Sequence, residues 1–369
     1  MSEIRPLARE DVPVIASMFQ RILRRDRRAA SPDLIAYLSK LFLDPPNRDP
    51  DIASLVHLRA DGSVSGFMGV LPMRMAFEGR PLRAAIGGSF MVEDHEDDPY
   101  AGARLLRAFQ NGPQDLSLTE TANDVSTTMW RKLRGTILPD YSLEWLRVIR
   151  PTAFVSEMAA GVFGPLRLIS PLARPIDALL GRIAPGAGWA HLPAAALGGK
   201  ALPSSDADAE TAAALFRRFV ELHALHPDWP EADLQRMVAE SGRKANYGGM
   251  VRRQVLARNG TPVGLFLYYG DRARIGRVIQ VLALPGQEGA VIDSMLADAC
   301  ERGLVALRGR SQPALLDAML GRRFAFVHAS SSIVHARDQS LIAPFRAGQA
   351  FFNGFAGESW SRLLGDRFD

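Results

Sequence analysis

The chain has 369 residues but only one cysteine, Cys300, and seven histidines. A single thiol excludes an intrachain disulfide and any metal site built from Cys pairs. The histidines show no metal-ligand spacing: His223 and His226 lie three apart without another candidate ligand near them in sequence. No metal is therefore expected. Long apolar runs are missing too, and the least charged stretch, 184–199, is interrupted by Pro185, Gly186, Gly188 and Pro193. Residues 1–11 lack the apolar segment of a signal peptide. A large charge of one sign is also absent, since 44 basic side chains face 40 acidic ones for a net +4. The pI of about 9.4 reflects arginine abundance rather than a basic face, so no nucleic-acid partner is implied. Together these absences lead to the expectation of a cytoplasmic protein.

What is present is ordinary globular composition, 47% hydrophobic and 23% charged, enough for roughly two to three domains. A short strand over 4–7 precedes Asp11 and a helix with Val14, Ile15, Met18, Phe19, Ile22 and Leu23 on one face. Ser31-Pro32 predicts a second helix start. Strands over 53–59 and 64–71 flank Asp61-Gly62, a hairpin signal. A further strand over 74–77 turns at Glu78-Gly79 into an apolar strand over 84–92. An acidic turn, a helix carrying Leu105, Leu106 and Phe109, a strand over 116–119 and a helix opened by Asn123 complete the first half.

The second half repeats this order. An amphipathic helix over 209–225, a Trp229-Pro230-Glu231 helix start, strands around Asn259-Gly260, a strand over 275–284, and helices over 289–302 and 313–320 follow in turn. The spacing from Gly62 to Gly66 matches that from Gly260 to Gly264. A shared order over such a length predicts two copies of one mixed α/β domain, over 1–150 and 205–369. The segment 151–204 between them is rich in Ala, Pro, Gly and Leu. Its apolar stripe (Leu168, Leu172, Ile176, Leu180) lies beside Arg167, Arg174 and Arg182, and Pro171 and Pro175 break it into short helices. It reads as a helical connector docking on both domains, or as a basic amphipathic segment (152–183) lying on a membrane surface or a partner protein.

The order of strand, two helices, hairpin, long central strand, helix, strand and helix resembles the acyl-coenzyme A–dependent N-acetyltransferases related to Gcn5, the GNAT superfamily. The Ile4-Arg5-Pro6-Leu7 opening before Glu10-Asp11, and Val64-Ser65-Gly66-Phe67-Met68-Gly69 in the hairpin strand, carry the resemblance. It covers most of 2–150 and, more faintly, 205–369. It implies an α/β (mixed α+β) fold of two tandem acyl-CoA N-acyltransferase-like domains, each a twisted mixed sheet flanked by helices. It also implies transfer of an acetyl or other acyl group from acyl-CoA to an amine of a small molecule or saccharide, by direct attack in a ternary complex.

In that family the central strand binds the pantetheine arm through its backbone; here this is 88–92, with Phe90, Met91 and Val92. The family's pyrophosphate loop, Arg/Gln-x-x-Gly-x-Gly/Ala, matches Tyr100-Ala101-Gly102-Ala103-Arg104-Leu105-Leu106 only in part. Ala101 replaces the basic or Gln residue, and Arg104 and Leu106 take the later small positions. Gly102 and Ala103 stay small, so a phosphate corner and a plain tight turn both remain open. Asn123 and Trp130 fall on the family's Asn-x6-Tyr helix, Asn toward the coenzyme. Trp130 cannot supply the proton that the family's Tyr gives the leaving thiolate, because an indole N–H does not ionise usefully; it packs either on pantetheine or in a core. Tyr100 is then the candidate acid and Glu120, at the end of its strand, the preferred base. In the second copy Glu288 stands where a phosphate would sit, which makes 205–369 a substrate-shaping or structural half. The rival expectation is a binding or scaffold protein that keeps the fold after losing the loop and the Tyr.

Overall fold

Helix starts and hairpin turns legible in the sequence mark where the chain changes direction in the computed structural model, which describes residues 3–93, 96, 98–162 and 201–368. The first half runs β1 (Glu3–Pro6), α1 (Val12–Met18), α2 (Pro32–Leu43), β2 (Leu55–Leu58), β3 (Val64–Phe77), β4 (Arg80–Val92), α3 (Ala101–Gln110), β5 (Leu116–Ala122), α4 (Asp124–Lys132), β6 (Thr136–Ile137), α5 (Pro139–Ser142), β7 (Leu143–Val148) and α6 (Pro151–Val162). The second runs β8 (Ser204–Asp206), α7 (Ala209–Val220), β9 (Leu225–Pro227), α8 (Glu231–Ser241), β10 (Met250–Leu256), β11 (Pro262–Tyr269), β12 (Ile275–Ala283), α9 (Glu288–Glu301), β13 (Ala306–Arg310), α10 (Pro313–Leu320), β14 (Ala325–His328), β15 (Ser331–Ala336) and α11 (Ala343–Arg346). The connector stripe with Arg167, Arg174 and Arg182 lies outside the described residues.

Local chemistry explains the boundaries. Ser31 accepts the Leu34 N–H with Pro32 in the first turn, and Asp208 accepts the Thr211 N–H at the start of α7. Two strands expected over 64–71 and 74–77 are one continuous β3. Pro72, which has no N–H to donate, lies inside it. In the structure β2 and β9 pair only with the two ends of β3, so 69–74 needs a ladder partner on the β4 side alone.

The two sheets have the same strand order, completed by exchange. One runs β1-β2-β3-β4-β5-β15-β6, with β9 added on β3, and the other β14-β7-β13-β12-β11-β10-β8. Thus β7, from the first half of the chain, sits between β13 and β14, while β15, from the second half, sits between β5 and β6. Each sheet is mixed: antiparallel throughout except for one parallel pair, β4 with β5 and β12 with β13. Segments 1–150 and 205–369 therefore divide the chain but not the sheets.

The largest apolar core draws on both halves, with Phe67 from one, Phe216 and Trp229 from the other, and Phe351, Phe352, Phe355 and Trp360 from the C-terminal tail. Phe355 packs against Phe216 with ring centroids 4.6 Å apart and the ring planes tilted by 46°. Burying several aromatic rings at about 3–5 kcal/mol each on truncation makes that tail part of the fold rather than an appendage.

Candidate active site

The site begins where parallel pairing stops. β4 and β5 are bonded from Ala84–Ile86 to Leu116–Leu118 and then part. Just beyond, β4 has two residues, Ser89 and Phe90, opposite one on β3, and Ser89 adopts φ +48. Such a bulge bends the strand and re-aims its side chains. The resulting opening is filled from the tail. Thr121 Oγ1 donates to the Glu358 carboxylate, and a Cβ at Gly88 would collide with that same carboxylate. Gly88 therefore has to be glycine for Glu358 to lie in the opening.

Glu120, the expected base, is buried next to it and is fully engaged. Its Oε1 accepts the Glu358 N–H at 2.8 Å and the Ser359 hydroxyl at 2.7 Å, and its Oε2 accepts the Gly354 N–H at 3.1 Å. Gly357 leaves no space for a side chain against it, and Asn353 and Gly354 take left-handed φ values of 75° and 65° to wrap around it. Three donors aimed at one carboxylate take up its lone pairs. Glu120 is thus the anchor of the tail loop. Glu358 differs: burial, with the Glu120 charge second, pushes its carboxyl up to about 7.

A small cleft of about 160 Å³ lies next to this opening between the sheets; Glu120, Thr121 and Ser359 line it, while the buried Glu358 is not among its lining residues. Lys244 is buried there, donates to the Ser359 carbonyl, and is pushed down by burial to about 7. Arg310 is committed to structure: it donates to the carbonyls of Tyr141, Glu120 and Ser330 and to the hydroxyls of Ser330 and Ser332. Arg308 is paired with Glu144 at 3.1 Å. Arg277 lies over the Tyr247 ring, 4.4 Å from its centroid.

The other residues expected at the site are placed as follows. Phe90, Met91 and Val92 end β4, where Met91 is buried against β3. Ala101, Gly102 and Ala103 form the first turn of α3, which has no side-chain cap. A Cβ at Gly102 would make only ordinary contacts with Phe90, Met129 and Val92, so nothing there demands glycine. Arg104 is ion-paired to Asp98 and donates to His57 Nε2 at 3.0 Å; His57 then bonds Ser65 through Nδ1, 2.7 Å away. Asn123 caps α4 by accepting the Ser126 N–H at 2.9 Å. Trp130 is 2% exposed and meets Phe109 edge-on, in a core with Leu105 and Leu106. Tyr100 is 72% exposed at the start of α3 and does not line the cleft.

An acyl-coenzyme A donor suits part of this surface. The edge of β4 beyond Ile86 has left β5, which suits an extended pantetheine arm, and the uncapped first turn of α3 suits phosphate oxygens. The one cation in that turn, Arg104, is held by Asp98 and His57. No group of His, Cys, Asp and Glu among the described residues could hold a metal ion.

The second sheet opens in the same way. β12 pairs with β13 over Ile275–Val278, and the β11–β12 register shifts between Leu267 and Tyr268. Amides occupy this opening: Gln280 Oε1 accepts the Phe355 N–H at 3.2 Å, and Gln312 Oε1 accepts the Val281 N–H at 3.4 Å. A mostly apolar cleft of about 330 Å³ lies beside it, lined among others by Val281, Leu282, Pro313 and Phe352. Glu288 accepts the Gly286 N–H at 3.1 Å, so its carboxylate occupies the turn ahead of α9.

Sequence reasoning missed Glu358, Lys244 and Arg277. The available signal for Glu358 was a lone carboxylate in Phe351-Phe352-Asn353-Gly354-Phe355-Ala356-Gly357-Glu358, an otherwise apolar run punctuated by turn residues. Lys244 and Arg277 carry no local signal.

No family model matches the chain, and no curated protein matches it. Solved structures do. A GCN5-related N-acetyltransferase from Kribbella flavida is 12% identical with TM-score 0.54, over 92% of this chain and 71% of that one. A GCN5-related N-acetyltransferase from Anabaena variabilis ATCC 29413 is 11% identical with TM-score 0.57, over 91% and 73%. A conserved protein of unknown function from Enterococcus faecalis V583, given as a probable N-acyltransferase, is 8% identical with TM-score 0.57, over 93% and 74%. The chain has the fold of these N-acetyltransferases: mixed α/β, with two mixed sheets flanked by helices. No described helix is long and apolar enough to cross a membrane.

Proposed function

We propose that this protein is an N-acyltransferase that moves an acetyl or other acyl group from acyl-CoA to the amine of a small molecule or saccharide. The observation that carries this reading is Glu358, a buried carboxylate held by Thr121 and Gly88 in the opening between β4 and β5, with its carboxyl pushed up to about 7 by burial. When bound, the donor supplies a thioester carbonyl for attack. Only an uncharged amine can attack it, so the ammonium proton has to be taken up near the reacting atoms. A carboxylate poised near neutral pH is matched to that task, whereas Glu120, saturated by three donors, is not. We therefore assign the base to Glu358. Solvent is assigned the proton return to the thiolate, because Trp130 is sealed in a core and Tyr100 is exposed to water at the start of α3.

Calorimetry with acetyl-CoA on the wild type, followed by thioester cleavage over a panel of amines, tests this reading. Binding at micromolar to millimolar donor and amine-dependent thiol release are expected, with release lost in Glu358→Gln. Absence of binding at millimolar acetyl-CoA would sink the enzyme and favour a second reading, a non-catalytic protein on the same fold. What favours that reading is Arg104, whose guanidinium is occupied by Asp98 and His57 where the family resemblance looks for a phosphate ligand.

A further inference from the structure

The cleft beside Glu358 is unusual in its charge. Four cations line it, Lys244, Arg277, Arg308 and Arg310, against two carboxylates, Glu120 and Glu144. Both carboxylates are occupied, Glu120 by the tail loop and Glu144 by Arg308. Arg310 spends its donors on backbone and hydroxyl oxygens, and Lys244 holds the Ser359 carbonyl. Arg277 is the exception. Among the described residues it makes no hydrogen bond and no ion pair, and its guanidinium carbon lies over the Tyr247 ring, 4.4 Å from the centroid. Tyr247 lines the same cleft.

A guanidinium with five donors, oriented by an aromatic face and left without an acceptor, is a fork waiting for a planar or tetrahedral anion. We propose that Arg277, positioned by Tyr247, binds an anionic group of the acceptor, so that the amines this protein takes carry a carboxylate or a phosphate. The word acceptor rests on the acyl-transfer reading; the anion site itself does not. The cleft's volume of about 160 Å³ suits a group of amino-acid or sugar-phosphate size rather than a polymer. Lys244 fits the same assignment: burial and the neighbouring Arg277 charge both lower its affinity for a proton, and an anion arriving on Arg277 would oppose that. Polycationic amines are disfavoured on the same grounds, since each added charge would meet the Arg277 guanidinium.

The test uses two pairs of amines that differ in the anion alone: glycine against glycinamide, and glucosamine 6-phosphate against glucosamine. Binding is measured by calorimetry on the full chain without any donor, for wild type, Arg277→Met and Arg277→Lys. The wild type should prefer the anionic member of at least one pair by about tenfold or more. Arg277→Met should erase that preference and Arg277→Lys should keep part of it, because lysine keeps the charge and loses the fork. Unchanged thermal unfolding in both variants would show that the fold survives, as expected for a side chain that leaves no hydrogen-bond partner behind. The pair that responds tells a carboxylate from a phosphate. Equal binding within both pairs, a preference that survives in Arg277→Met, or no binding of any of the four at millimolar ligand overturns the proposal. Thiol release from acetyl-CoA, assayed separately, decides the acyltransferase reading. An anion preference without turnover leaves the site and removes the enzyme, while turnover of neutral amines alone does the reverse.

Discussion

Beyond Ile86 the opening of the first sheet holds a carboxylate, and beyond Val278 the opening of the second holds two amides. Both openings arise from one topology: a central strand pairs in parallel, bulges, and leaves its neighbour. Both are closed by the same tail, Glu358 in one and the Phe355 N–H in the other. An amide can satisfy a strand's stray backbone groups without titrating and at modest desolvation cost. A buried carboxyl beside a second carboxylate is a costlier way to fill the same kind of space. Its presence in only one of the two places is what the proposed proton-handling role of the first opening rests on.

The sharpest way to break this comparison is at the anchor. Glu120→Ala leaves the Gly354 and Glu358 N–H groups and the Ser359 hydroxyl without their acceptor, and should cost about 3 kcal/mol or more at about 1–3 kcal/mol per orphaned donor. Urea unfolding reads this directly; a loss below about 1 kcal/mol would mean the tail is not held through Glu120. Next in size is the proton acceptor. Glu358→Gln keeps the shape and should lower turnover by about 10²-fold or more.

The same substitution has a signed effect on stability. The folded carboxyl is raised from its ordinary 4.5 to about 7, so the protonated native form is favoured. That contribution is fully present below pH about 4.5 and is lost as pH rises through about 7. Glu358→Gln should therefore gain stability relative to wild type across this window, by about 3 kcal/mol at about 1.4 kcal/mol per pH unit, and by no more above it. Denaturant midpoints at several pH values check it, and a flat difference would remove the buried-carboxyl argument.

In the second opening Gln280→Ala removes one acceptor, that of the Phe355 N–H, and should cost about 1–3 kcal/mol with no dependence on pH. A pH-dependent loss there would erase the distinction between the two openings. The smallest expected effect is at Arg104. Because its guanidinium already serves Asp98 and His57, Arg104→Ala should change the Kd of acetyl-CoA by less than about threefold, a fraction of a kcal/mol. A tenfold loss in calorimetry would restore it as a phosphate ligand.

Much of the fold was legible because its signals are local. Ser31-Pro32 and Trp229-Pro230-Glu231 at helix starts, Asp61-Gly62 and Asn259-Gly260 between strands, and the matching order of elements in the two halves all act over a few residues. The candidate site was far less legible. Glu120 was singled out for its strand end, but its role changes once Gly354, Glu358 and Ser359 reach it from 234 to 239 residues away. Trp130 could be ruled out as an acid from its chemistry, while its place against Phe109 is set by the tertiary fold. Nothing in 143–148 or 331–336 says that these strands change sheets.

By itself, then, the sequence determined the elements and their repeated order, because turn, cap and periodicity rules are enforced within a few residues, and its single cysteine ruled out an intrachain disulfide. Tertiary structure alone decided which sheet each last strand joins and which opening receives a charge. Strand pairing and burial are set by partners hundreds of residues distant, and only their meeting gives Glu358 its raised carboxyl and leaves Arg277 over Tyr247 without a hydrogen-bond acceptor.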